Sequence, residues 1–331
     1  MPPRWRLPLL VLGFVSLALG VAGGLARLSP GIPAPATAIA LHGPLLVSAF
    51  FGTVIALERA AALERTWAYA APLCAGASGV VLLLGFALPG FALMALAAAL
   101  FFAASMVVLG RQPSLETGTL LAGAAAWLAG NLMLFEGQAA VPWWIAFFAL
   151  TIGAERLELS RYLKRGPWVR RSFALLAGAL LAAPLIPSLL GVVLVLLSLW
   201  MLAFDLARVT VRQSRLPRYV AVCLLAGYFW LAVGGALIAT STAYDAALHA
   251  IFVGFVFSMV FGHAPVILPA VLRVSFPYHR VLYAPLLLLH ASLAVRVAGS
   301  SVAGAWGNAA AIALFIVTAA SLVLARARPR R

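Results

Sequence analysis

Apolar runs of about twenty residues alternate with short polar breaks along the whole chain, and about twenty apolar residues make a helix that crosses a bilayer. The first run is Leu7–Ala26, ended by Ser29-Pro30-Gly31-Ile32-Pro33. The second extends from Ala36 to Leu57 and closes at Glu58-Arg59. Trp67 to Leu109 is too long for one crossing, and Leu88-Pro89-Gly90 divides it into spans 3 and 4. Span 5 is Thr117–Leu134. Span 6 opens at the interfacial pair Trp143-Trp144 and ends near Leu157, with a basic amphipathic tail through Arg171. Phe173 to Leu206 is again too long, and Pro184, Pro187 and Gly191 split it into spans 7 and 8. Spans 9 to 12 are Tyr219–Ala239, Asp245 to about Leu268, Val281–Val297 and Val302–Leu324. The prediction is an all-α polytopic membrane bundle of twelve helices, one transmembrane domain over 1–331, with no soluble domain.

Composition agrees. The chain is 65% hydrophobic and 9% charged, against about 25% charged in a soluble domain. The N-terminal run is longer than a signal-peptide core of about 7–15 residues and reads as a retained span. The formal charge of +15 invites a nucleic-acid reading, but its placement argues otherwise. With twelve spans and both termini cytoplasmic, all but Arg27 and Arg296 of the 23 Lys and Arg residues fall on the inner side. Fusing spans 7 and 8 would move Arg208, Arg212, Arg215 and Arg218 outside. The charge is therefore a topology signal for a cytoplasmic (inner) membrane protein. The partner it implies is the lipid bilayer, not nucleic acid. Cys74 and Cys223 lie apart in apolar runs, and neither a disulfide nor a zinc site is indicated. Ala49-Phe50-Phe51 leading to Glu58-Arg59 echoes Ala146-Phe147-Phe148 leading to Glu155-Arg156, a weak half-repeat. These Glu-Arg pairs are expected to be surface ion pairs at the inner interface.

Ionisable groups within spans are costly and mark candidate sites. His42 lies ~9 Å below the outer end of span 2, and His249 ~6 Å below that of span 10. Two imidazoles at matching depth, on helices of the same direction, suit the axial positions of a six-coordinate haem. The same residues also suit core histidines bonded to backbone or hydroxyl groups. Arg27 and Arg296, the two outer arginines, are forks that fit haem propionates or anchor the interface. Asp245, one turn before His249, can orient that imidazole or sit at the helix N-terminus for its dipole. His263 shares a helix face with His249 but lies ~21 Å away, so the two cannot share a metal. His263, inner-loop His279 and mid-membrane His290 are candidates for a second metal or a proton route, or for structural hydrogen bonds. No hydrolase or ATPase motif is present.

Leu41-His42-Gly43 on span 2, the run Leu248-His249-Ala250 to Gly254, and Gly262-His263 resemble subunit I of the haem–copper oxidases and, more closely, the NnrS family of haem- and copper-containing membrane proteins linked to nitric-oxide response. The resemblance implies haem b held by His42 and His249, copper as a further cofactor, and a role in electron transfer or diatomic-gas response with a redox partner protein or a small gas. The sequence departs from the oxidases at Ala247, where they carry a second histidine, and in having no histidine on spans 6 and 7. Oxygen or nitric-oxide reductase activity is therefore not expected. Gly262-His263-Ala264-Pro265 also departs from the NnrS continuation Gly-His-Thr-Gly. The competing expectations are a secondary transporter or exporter of a small solute or metal, and a structural subunit of a membrane redox complex.

Overall fold

A computed structural model describes residues 5–163 and 166–327. Of the basic residues used above for topology, Arg4, Lys164, Arg165, Arg328, Arg330 and Arg331 lie outside the described residues. Among the described residues there is no strand, and eleven helices are long and apolar enough to cross a membrane. The chain is thus a multi-pass helical membrane protein.

The helices form two compact units, Met1–Thr151 and Ile152–Arg331. The first unit contains α1 (Arg6–Ala26), α2 (His42–Leu63), α3 (Thr66–Leu83), α4 (Ala87–Arg111), α5 (Leu115–Phe135) and most of α6 (Val141–Ser160). The second contains the end of α6, then α7 (Pro167–Leu185), α8 (Pro187–Phe204), α9 (Arg215–Ala239), α10 (Tyr244–Leu272), α11 (Arg280–Val297) and α12 (Ser301–Ala327). Among the described residues helix α6 is the one long helix outside the eleven. It has the length of a span, 20 residues, but carries Glu155, Arg156 and Glu158.

Several boundaries differ from the sequence expectation. The break between α3 and α4 falls at Leu84–Phe86, not at Leu88-Pro89-Gly90. Gly85, with φ +92°, makes the turn that a residue with a Cβ resists. Pro89 sits in the first turn of α4, where its missing N–H costs nothing. Helix α2 runs past Glu58-Arg59 to Leu63 and stops at Glu64, a left-handed residue with φ 56°. A short helix, Ala36–Ala40, precedes it, and the chain breaks at Leu41 (φ −112°, ψ 24°). Ser114 and Thr117 start α5 with a reciprocal capping box. In α10, Pro265 and Pro269 lie inside the helix.

Two spans share a feature that composition does not announce. Residues Leu45–Phe51 of α2 and Ala250–Phe257 of α10 are π-helical, so Gly52 N–H bonds to Val47 O, five residues back. A π turn accommodates an extra residue and is common at functional sites. Each π stretch starts within a turn of a histidine, His42 in α2 and His249 in α10. Glycines let neighbours close in beside both. A Cβ on Gly52 would overlap the Trp127 ring, and one on Gly254 would overlap Trp230.

Candidate functional site

The second unit brings three of the sequence candidates together. The turn entering α10 passes through two left-handed residues, Ser241 (φ 54°) and Ala243 (φ 46°), a conformation that costs about 1–2 kcal/mol per non-glycine residue. It sets Asp245 in the first turn of α10 and His249 one turn on. The His249 Nδ1–H donates to the Asp245 carbonyl at 2.7 Å, and the Asp245 carboxylate lies 3.4 Å from the same nitrogen. A carbonyl only accepts, so the proton is on Nδ1 and the lone pair of the neutral ring is on Nε2. Arg296 of α11 donates Nη2–H to Asp245 Oδ2 at 3.1 Å. Gly304 of α12 seats the Arg296 backbone so closely that a Cβ there would overlap it. The Arg296 side chain is 9% exposed against 66% for Asp245, and its buried Nε has no hydrogen-bond partner among the described residues.

His42 and Arg27 belong to the first unit. His42 opens α2 after the break at Leu41, with Gly24 of α1 beside its ring, 3.6 Å from a Cβ built there to His42 Cδ2. Arg27 caps the C-terminus of α1 through its own N–H and is exposed.

The remaining histidines are dispersed. His290 accepts the Trp230 indole N–H on Nδ1 at 3.0 Å, so its proton is on Nε2. That nitrogen lies 3.4 Å from Ser258 Oγ, whose own hydroxyl donates to the Cys223 carbonyl at 2.7 Å. The result is a one-directional chain through α9, α11 and α10 that engages both ring nitrogens. His263 donates Nδ1–H to Met259 O at 2.8 Å. His279 is exposed, and its Nδ1 accepts Val281 N–H at 3.1 Å to cap the turn before α11. Among the described residues no three His, Cys, Asp or Glu side chains group as a metal site. Both cysteines are free.

Two polar clusters were not foreseen. Arg156 was expected at a surface pair with Glu155. Instead it is buried and binds Asp205 bidentately, Nε to Oδ2 at 2.7 Å and Nη2 to Oδ1 at 3.1 Å, with the two side chains 5% and 0% exposed. Asp205 also accepts the Ala207 N–H. The available signal was that the chain has only two aspartates and one of them ends a long apolar run. In the first unit, Asn131 joins four helices. Its Oδ1 accepts Ser48 Oγ–H at 2.7 Å and Trp144 Nε1–H at 3.1 Å, while its Nδ2 donates to Met94 O at 2.9 Å. Trp127 Nε1–H donates to Ser48 Oγ at 3.2 Å. All four side chains are buried.

No curated protein and no solved structure matches the chain. A protein family described as a domain of unknown function (DUF8744) matches residues 6–324. With nearly the whole length matched, this chain belongs to the DUF8744 family.

Proposed function

We propose that the chain is a haem-b-binding protein of the cytoplasmic (inner) membrane that acts in electron transfer or in the response to a diatomic gas such as nitric oxide. The observation that carries the reading is the Arg296–Asp245–His249 relay at the start of α10. A ligating histidine characteristically donates its other ring N–H to a carbonyl or carboxylate, which fixes its tautomer and raises its basicity, and His249 does so to the Asp245 carbonyl, with the Asp245 carboxylate 3.4 Å from the same nitrogen. The buried Nε–H of Arg296 lacks an acceptor, a defect that an anionic group such as a propionate would repair. The residues present therefore fit the group. Haem b supplies reversible one-electron chemistry at iron. The protein's part is to hold the His249 ring, to balance charge through Arg296 and Asp245, and to keep the surroundings apolar.

The topology belongs to the same reading. Helix α6 is the twelfth span, and both termini lie on the cytoplasmic side. The arginine asymmetry supports this, since Arg6 begins α1 and Arg326 ends α12. Reporter fusions at the inner-side and outer-side loops test it.

The haem reading stands or falls on an absorption spectrum of protein purified from haem-replete cells. A sharp Soret band with split low-spin visible bands on reduction is expected, and His249→Ala should remove most of it. The same measurement on His42→Ala tests the sequence expectation of a second imidazole ligand. Folded, haem-free protein would end the proposal.

A further inference from the structure

Beyond the histidines, the second unit contains a cavity of about 680 Å³ lined by Ser214, Arg215, Arg218, Tyr278, Arg280 and Tyr283, with Val222 behind them. We propose that this cavity binds a phosphate group, either as the headgroup of an anionic phospholipid or as a free phosphate anion. Three arginines converge on it, and no carboxylate lines it. Among the described residues none of the three is ion-paired with an acid. Arg218 donates Nε–H to the Val211 carbonyl at 3.2 Å, which steadies its guanidinium without neutralising it. An inner-side arginine placed only to set topology needs no particular neighbour. Here residues from two separate chain segments, the start of α9 and the turn into α11, face one hollow.

The helix geometry adds to the charge. Helix α9 begins at Arg215, and Ser214 at its N-cap lines the cavity without making a side-chain cap bond, so the positive end of the helix dipole is beside the cavity. Pro217 in the first turn of that helix has no N–H to spare. The arginine forks offer paired N–H donors matched to phosphate oxygens, and the Tyr278 and Tyr283 hydroxyls can donate as well. The volume is within the range of about 300–1,000 Å³ typical of ligand sites. Basic pockets between transmembrane helices suit lipid phosphates in particular.

The test uses the full chain purified in neutral detergent. Native mass spectrometry with added phosphatidylglycerol reads the lipid source, and phosphorus-31 line broadening with inorganic phosphate reads the free anion. The cavity should retain at least one of the two, and an Arg215→Gln/Arg218→Gln/Arg280→Gln variant should lose at least tenfold of that binding. Lipid retained without phosphate assigns a headgroup; phosphate bound with lipid unaffected assigns a soluble anion. Arg111→Gln, outside the cavity, controls for bulk charge. If the triple variant does not purify, Arg280→Gln alone should weaken binding measurably, and high phosphate should displace lipid from the unaltered protein if both compete for the arginines. Absence of both ligands from the unaltered protein overturns the proposal, as does equal binding by the cavity variants and the Arg111 control.

Discussion

Helices α2 and α10 are built alike and finished differently. Each has a histidine shortly before a π-helical stretch, a glycine that seats a tryptophan ring, and a serine that pins the span to its neighbours. In the first unit, the Trp127 indole ends on Ser48, and the polar network closes on Asn131 and a backbone carbonyl. Every member is uncharged at any ordinary pH, and every bond has one direction. In the second unit, the corresponding indole, Trp230, ends on His290. The second unit also holds two ion pairs, Arg156–Asp205 and Asp245–Arg296. The same packing device leads to a non-titrating network at Asn131 in one unit and to a histidine in the other.

The comparison breaks most sharply at Arg156–Asp205. Asp205→Ala should cost about 3–5 kcal/mol, because a buried guanidinium loses its only bidentate partner. Arg156→Met with Asp205→Leu should recover most of that loss. Thermal unfolding in detergent reads both, and an Asp205→Ala protein as stable as the parent would remove the pair from any structural role. Next come the seats. Gly52→Ala and Gly254→Ala should each cost about 1–3 kcal/mol through overpacking against tryptophan. A large inequality between them would show that the two π stretches are not equivalent. Asn131→Leu should cost about 1–2 kcal/mol, since interhelical hydrogen bonds in membranes average well under that while Asn131 supports three. It should leave any haem spectrum unchanged, placing the first-unit network outside the chemistry. The smallest effect on stability belongs to Asp245→Asn, about 0.5–1 kcal/mol, since the amide oxygen can still accept the Arg296 N–H while the charge of that pair is lost. The carbonyl that holds His249 remains. On the haem reading, the midpoint potential then rises, because a negative charge that favours the oxidised iron is gone. An unchanged potential would detach the carboxylate from the site.

Eleven of the spans were legible because length and apolarity are sufficient to specify them, and Pro187 marked the start of α8, whereas Gly191, read as part of the same turn, lies inside that helix. Local backbone chemistry was less so. Pro89 was read as a break although a proline is equally at home in a first helical turn, whereas Gly85 made the actual turn. Asp205 and Arg156 are 49 residues apart, and no local pattern announces a pair of that separation. The π stretches were invisible for another reason. Apart from Ser48 their residues are apolar on every side, so an added residue disturbs no hydrophobic period. His249 and Asp245 could be paired from spacing alone, since four residues on a helix place them on one face. Arg296 was legible as an outer charge and a candidate propionate fork, not as the partner of Asp245.

The π stretch of α10 has a consequence for how the span can change over time. One additional residue rotates whatever precedes it by about 100° relative to whatever follows. The half carrying Asp245 and His249 is therefore phased separately from the half carrying Ser258 and His263. Losing or gaining a single residue between Ala250 and Phe257 would turn one half like the dial of a lock. The Ser258 pin would keep its register while His249 swung to a different face. A helix of this kind lets selection re-aim a ligand without rebuilding the bundle that holds it.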